Sequence, residues 1–207
     1  MATTSSLSNM TVPIANNGDT VQQGLLMPKL MYRFRVTFLN FGINADVTEL
    51  TKQVIKLDRP HVQFEEIKLP VYNSTIKIAG KYTWNDVTCE IRDDAAGNIS
   101  TLVGQQLQKQ LDFMEQSSAA AGINYKFTTQ FEILDGGNGT NNPTVLETWE
   151  LLGCYLHDVN YNGGDYGQSE AMKVSMTIKF DNALQLGAYT TPFAAQVGDI
   201  ATGAGVG

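Results

Sequence analysis

The sequence predicts a mainly-β, single-domain protein with one helix, one long extended arm and loose ends. Three observations carry this. Over Glu170–Asn182, Met172, Val174, Met176, Ile178 and Phe180 alternate with Lys173, Ser175, Thr177, Lys179 and Asp181. A period of two over so long a run means a sheet strand with one dry face and one wet face. The second observation is a helical stripe between Ile99 and Met114. The third is Val71 to Trp84, which is strand-like yet holds little hydrophobic volume.

The elements follow in order. Residues 1–27 are rich in Thr, Ser, Asn and Gly and read as a flexible N-terminal arm. The folded domain is expected over 28–185. It opens with a strand in which Leu30, Tyr32, Phe34, Val36 and Phe38 alternate with Met31, Arg33, Arg35 and Thr37. A polar loop around Gly42–Asp46 leads to a short strand near Lys52–Leu57, then an extended piece, His61–Leu69. Pro70 holds Leu69 extended and lacks a donor for a ladder, which suits a sheet edge. In the arm, Val71, Tyr72, Thr75, Ile76, Ile78, Tyr82 and Trp84 supply too little apolar area for an isolated ribbon, so it needs something to lie against.

Asp86–Arg92 is a strand with Val87, Cys89 and Ile91 inward, closed by Asp93, Asp94 and Gly97. Asn98 is the expected helix cap. Ile99, Leu102, Val103, Gln106, Leu107, Gln110, Leu111 and Met114 form the stripe behind it. Gly104 either weakens the helix or marks a close approach to the sheet. Phe127, Thr129, Phe131 and Ile133 make another strand, stopped by the glycine-rich Asp135–Thr140. Val145–Tyr161 is long for one strand and apolar on both faces: Trp149, Leu151, Tyr155 and Val159 on one, Leu146, Leu152, Cys154 and Leu156 on the other. Asn162–Tyr166 turns the chain into the final strand, and 186–207 is a flexible Ala/Gly-rich tail.

Composition narrows the function. Charged residues are 17% of the chain and the formal charge is -7, which suits an assembling protein that hides much of its surface. A phosphate-holding protein concentrates Lys and Arg on one face, and Arg33 with Arg35 is too small a feature for that. No apolar run reaches membrane-spanning length. Residues 1–20 lack a basic start and an apolar h-region, so synthesis inside the cell is expected. Cys89 and Cys154 make no disulfide framework and read as reduced, half-buried core residues.

Candidate chemistry is sparse. His61 and His157 with Cys89 and Cys154 add up to four ligands, but residues three apart on a strand, as Cys154 and His157 are, point to opposite faces. Glu65/Glu66 and Asp93/Asp94 are adjacent pairs whose side chains diverge, so they read as solvated or interfacial, not as an acid–base pair. Asp135-Gly136-Gly137-Asn138-Gly139 lacks the Lys-Ser/Thr of a phosphate loop and opens no helix. Asp135, Asn138 and Asn141 could at most touch a cation weakly. The expectation is a non-enzyme with no catalytic residues, metal or cofactor. The positive signals concern assembly: the underfilled arm and the doubly apolar strand could be completed by another copy.

One segment adds a resemblance. Leu69-Pro70-Val71-Tyr72-Asn73-Ser74-Thr75-Ile76-Lys77-Ile78-Ala79-Gly80-Lys81-Tyr82-Thr83-Trp84-Asn85-Asp86-Val87-Thr88 resembles the tail-tube protein of contractile-tailed bacteriophages. A proline-led arm runs into Lys77-Ile78-Ala79-Gly80-Lys81, then an aromatic (Tyr82 or Trp84), then Asp86 opening a strand. The likeness extends over about 28–183, from Pro28, Tyr32 and Phe34 onward, and is sharp only over 69–88; the Thr/Ser-rich start and the Ala/Gly-rich tail depart from the pattern. It implies an antiparallel β-barrel or two-sheet sandwich with one flanking α-helix and a long arm. It also implies hexameric rings stacked into the tube that conducts phage DNA into the host. Val71, Tyr72, Thr75, Ile76, Ile78, Lys81 and Tyr82 would then form the ring-stacking arm, and Lys173, Ser175, Thr177, Lys179 and Asp181 would face the lumen, with Glu170 and Asp181 offsetting the two lysines. Implied partners are the protein itself and the tail sheath, baseplate, tape-measure and tail-terminator proteins, with DNA passing without sequence-specific binding and no membrane insertion. The implied location is the virion, after synthesis in the bacterial cytoplasm. The competing reading is a soluble β-sandwich binding module that recognises glycans or proteins through Trp149, Tyr155 or Tyr161.

Overall fold

The structure, a computed structural model, describes residues 28–43, 48–135 and 143–186. The expected flexible ends, 1–27 and all but the first residue of 186–207, lie outside these, as do Asn138 and Asn141. The elements are β1 (Phe34–Leu39), α1 (Thr48–Gln53), β2 (Val54–Leu57), β3 (Val62–Val71), β4 (Ser74–Trp84), β5 (Val87–Arg92), α2 (Asn98–Gln110), β6 (Leu111–Asp112), β7 (Ser117–Ser118), a 3-10 turn (Gly122–Asn124), β8 (Phe127–Leu134), β9 (Val145–Asn160), β10 (Lys173–Lys179) and β11 (Asn182–Leu186). Residues 28–33 belong to a separate unit, Met1–Arg33. Within it Arg33 N–H donates to Leu30 C=O at 3.1 Å, and the Arg33 guanidinium sits over the Tyr32 ring. The first strand thus starts at Phe34, four residues later than the alternation from Leu30 predicts.

The strands pair antiparallel in the order β1-β8-β9-β10-β5-β2, and β11 also pairs with β9. β9 belongs to two sheets. Its first part pairs with β8 and β11, and its last part, Tyr155–Asn160, pairs with β10. The expected barrel is corrected here: the fold is mainly β with two sheets and a flanking helix, and the sheets do not close. Among the described residues β1 pairs only with β8 and β2 only with β5. The short helix α1 packs against both β1 and β5, where closing strands would have to meet.

Strand parity explains most of the core. Val36 and Phe38 of β1, Val87, Cys89 and Ile91 of β5, Phe127, Phe131 and Ile133 of β8, and Val174, Met176 and Ile178 of β10 are all buried in one cluster. Burial of this kind contributes roughly 25 cal/mol per Å² of apolar surface. Met172 falls outside it and is exposed, while Phe180 packs on its rim.

The two apolar faces expected of Val145–Tyr161 are one face that changes parity twice. Glu147, Trp149 and Leu151 turn inward, then Cys154 and Leu156, then Val159. The first change is a bulge: two steps of β8, Phe127 to Thr129, oppose three of β9, Cys154 to Leu151. Gly153 lies in it with φ 68, a conformation that costs other L-residues roughly 1–2 kcal/mol. The second is at His157, skipped between Thr177↔Asp158 and Ile178↔Leu156.

The helix region departs from expectation in three places. A short helix, α1, precedes β2, so the strand expected near Lys52–Leu57 begins at Val54. Asn98 is the first residue of α2, not its cap. The residue before it, Gly97, is left-handed, and Asp94 Oδ1 accepts the Ile99 N–H at 3.0 Å while Asp94 Oδ2 accepts from Asn98 Nδ2. Asp94 therefore satisfies one of the orphan donors at the helix start. Finally, α2 stops at Gln110, which leaves Leu111 and Met114 exposed. Nothing lies within 4 Å of a Cβ placed on Gly104, so that glycine marks no close approach and only weakens the helix.

Candidate functional site

The arm is a hairpin that forms a sheet of its own, β3 with β4. Tyr72-Asn73 is its two-residue turn, and Tyr72, wholly exposed, holds a positive φ of 24. Pro70 pairs with Thr75 in a ribbon whose outer edges face solvent, so its missing N–H breaks no wider ladder. Val71, Tyr72, Thr75, Ile76, Ile78, Lys81 and Tyr82, the residues expected to form the arm surface, are all exposed and are brought together on this hairpin. The root is fastened to the body. The Trp84 indole N–H donates to Asn182 Oδ1 at 3.2 Å, and the ring lies 5.7 Å from that of Phe180.

The wet face of the last strand is the second surface. Lys173, Ser175, Thr177 and Lys179 share one face of β10 and are half-buried. Opposite them in β5 stand Arg92, Glu90 and Thr88, and in β9 Asn160, Asp158 and Tyr155. Lys56 of β2 stands in register with Glu90, and its Nζ lies 3.5 Å from Asp58. Each terminal lysine has an acid: Lys173 Nζ is 3.8 Å from Glu170 and Lys179 Nζ is 3.5 Å from Asp86. Asp86, not Asp181, offsets Lys179. Asp181 follows β10, its N–H donates to Leu152 C=O, and its carboxylate takes Lys126. The four cations Lys56, Arg92, Lys173 and Lys179 thus share this surface with five anions, Glu90, Asp158, Asp86, Glu170 and Asp58, leaving it within one charge of neutral.

Catalytic groupings do not assemble among the described residues. Cys89 and Cys154 are buried while His157 is exposed, and His61 Nδ1 accepts from Asn85 Nδ2 at 2.8 Å. No group of three or more metal-ligating residues occurs there. Burial pushes the Cys154 thiol up to about 11 and that of Cys89 well above the ordinary thiol range, so neither is a thiolate at neutral pH. Glu66 pairs with Lys77 at 3.0 Å, and Asp94 is occupied by the helix start. Trp149 packs against the core with its indole N–H on Glu147 Oε1 at 2.6 Å, so it offers no exposed platform for a sugar.

Several positioning residues had only faint sequence signals. Glu147 is buried and accepts from both Trp149 and Gln185. Gln106, fully buried, accepts from Gly42 N–H and donates to Tyr125 C=O. Gln110 both donates to and accepts from the Leu156 backbone, tying α2 to β9. The signal available for the two glutamines was their place on an otherwise apolar helical stripe. Among the described residues no helix is long and apolar enough to cross a membrane.

Comparison with known proteins rests on fold. No protein-family model and no curated protein matches the sequence. Among solved structures, the chain is similar to one from the anti-feeding prophage cap, the AFP tube terminating cap, with TM-score 0.60, 14% identity, and coverage of 84% of this chain and 99% of that one. A chain from the sheath/tube terminator of PVC, an extracellular contractile injection system, in its extended state aligns with TM-score 0.58 and 12% identity over 79% of this chain and 100% of that one. One from the PVC sheath–tube complex aligns with TM-score 0.56 and 12% identity, covering 77% and 92%. At these identities the likeness concerns the fold alone: this chain shares the two-sheet fold of proteins found in contractile injection particles.

Proposed function

We propose that this protein is a structural, non-catalytic subunit that assembles with copies of itself into stacked rings, building the inner tube of a contractile injection particle. The single observation that carries this reading is the fold, shared along nearly the full length of chains from tube-terminating and sheath–tube assemblies. Two features agree with it. Beyond its root at Trp84 the hairpin exposes apolar residues that lie outside the protomer's own core, and the polar face of β10 carries nearly balanced charge.

The finer reading is a hexameric tail tube of a contractile-tailed phage, with the β10 face as channel wall and DNA as cargo. Lys173, Ser175, Thr177 and Lys179 would line the lumen, with Asp181 at its margin. A near-neutral wall suits passage, because unpaired lysines would retain phosphates by counterion release. Sheath, baseplate, tape-measure and terminator proteins are the partners this role requires, and the virion is the place. The domain assignment that goes with it is a body over 28–185 flanked by flexible ends.

Native mass measurement tests the assembly. Six times the 22.6 kDa protomer, or stacks of that unit, is the expected mass. A strict monomer at tens of micromolar, unchanged by seeding or crowding, overturns the proposal.

A further inference from the structure

Asn162 stands where the β9–β10 ladder runs out. The last register pair at this end is Asn160 with Ser175, so residue 162 falls level with Lys173. β9 has already ended at Asn160, and a side chain completes the pairing instead: Asn162 Nδ2 donates to Lys173 C=O at 2.7 Å. The Asn162 N–H donates to Asn160 Oδ1 at 2.9 Å, and its φ of 54 is one that asparagine tolerates. The amide is thus a latch across the mouth of the loop joining the two strands, residues 161–172, every one of which is exposed.

The residue that follows makes this latch chemically weak. Among the described residues, Asn162 is the only asparagine followed by glycine; the other Asn–Gly pairs of the chain, at 17–18 and 138–139, lie outside them. A glycine in that place lets its backbone nitrogen swing toward the asparagine side-chain carbonyl carbon, because it has no Cβ to obstruct the turn and wide backbone freedom. The surroundings leave the motion open. Nothing lies within 4 Å of a Cβ placed on Gly163 or Gly164. Among the described residues the Gly163 N–H has no hydrogen-bond partner to give up. What resists is the latch, an exposed bond to a carbonyl. A bond of that strength is open in roughly one molecule in ten or more, so the fold slows attack by about tenfold at most.

We infer that Asn162–Gly163 is a self-modification site, at which the latch amide converts to a carboxylate in the folded protein and releases the β9–β10 junction. The Gly163 nitrogen attacks Asn162 Cγ and forms a C–N bond that closes a cyclic imide. The Cγ–Nδ2 bond breaks, and ammonia leaves with the proton from the Gly163 nitrogen. Water then opens the imide at either carbonyl, giving aspartate or isoaspartate. Water is the co-reactant, and no electrons change hands.

The product cannot do what the amide did. A carboxylate accepts but does not donate, so at 162 it meets the Lys173 C=O oxygen to oxygen. Isoaspartate also lengthens the backbone at the end of the ladder. Either product adds a negative charge at the end of the polar β10 face, beside Lys173 with its Glu170 and in line with Arg92.

Peptide mapping by mass spectrometry tests the site, on full-length protein aged in warm, mildly alkaline buffer with and without urea. Asn162 should convert ahead of every other described asparagine, and in the folded protein within about tenfold of the rate in urea. Gly163→Ala should slow conversion about tenfold or more, equal to roughly 1.4 kcal/mol of barrier. Gly163 does not hold a left-handed φ and its surroundings are open, so alanine fits there. Asn162 left intact in the folded protein while the urea sample converts would overturn the site. Conversion that Gly163→Ala fails to slow would overturn the route through the Gly163 nitrogen. The latch is tested separately by Asn162→Asp, which should keep the circular dichroism spectrum and raise hydrogen exchange over 171–175 by about two- to tenfold. Wild-type exchange in that variant would show that the amide holds nothing. Loss of its spectrum would make Asn162 a support of the whole fold and refute a local latch.

Discussion

Replacing Gly153 by alanine tests how β9 serves two sheets. Gly153 has φ 68, and a Cβ placed on it would overlap the Asp181 carboxylate. The backbone conformation alone costs alanine roughly 1–2 kcal/mol. The overlap is with the end of a flexible, mostly exposed side chain, so Asp181 moves aside and weakens its pair with Lys126, a surface interaction contributing about 0–1 kcal/mol. The sum is about 2 kcal/mol, which for a chain of this size lowers Tm by roughly 4–8 °C. Thermal unfolding followed by circular dichroism measures it, with urea unfolding as a check. Gly153→Asn should cost less, since asparagine tolerates the left-handed region. Adding Asp181→Ala to Gly153→Ala should relieve only the steric part and leave most of the loss. A Gly153→Ala protein melting within about 1 °C of wild type would refute the bulge as the device that turns the buried face of β9 from odd to even positions.

Other predictions follow from the same geometry. Met176→Asp or Ile178→Asp should unfold the body, because an unpaired buried carboxylate costs several kcal/mol, whereas Ser175→Asn and Thr177→Asn should leave fold and assembly intact; equal damage would mean that the polar face is buried too. Thr129→Val should be neutral or stabilising in urea unfolding, because the buried Thr129 Oγ1 makes no ordinary hydrogen bond and faces only the weakly bonding Cys154 thiol, and a clear loss would show that this contact holds the hydroxyl. Deleting Tyr72–Lys81 should preserve the circular dichroism spectrum of the body and abolish stacking; an unfolded product would place the arm in the core. Stability should fall as pH rises above about 8.5, where the unfolded chain's thiols ionise and the folded ones stay neutral. The loss runs up to about 11 for Cys154 and beyond that for Cys89. Cys154→Ala should flatten that slope in urea titrations between pH 8 and 10, and an unchanged slope would contradict the burial of the thiol.

Much of this molecule is legible in its sequence because β parity is local. The alternations at 34–39, 87–92, 127–134 and 173–179 each gave the buried face directly, and the poverty of 71–84 marked a segment outside the core. What failed depended on partners distant along the chain. Barrel closure is a pairing of β1 with β2, and whether it forms rests on where α1 packs, which no local pattern shows. The two bulges of β9 made one inward face look like two; the lone glycine in the strand pattern at 153 was the available signal. Asn98 looked like a cap from its own identity, but Asp94, four residues earlier, reaches the free N–H through a left-handed Gly97. Of the two surfaces, the arm was readable as exposed, while the register shift between Phe64 and Glu66, opposite Gly80, shows only in the pairing. The neutrality of the β10 face required knowing that β5 supplies Glu90 and Arg92 beside it and that Asp86 reaches Lys179.

Electron microscopy of the purified full-length protein in negative stain tests the central claim most directly. Self-assembly into a tube predicts rings with a central hole, or stacks of them, growing more frequent with concentration and lost when Tyr72–Lys81 is removed. Featureless particles of protomer size at every concentration would contradict it.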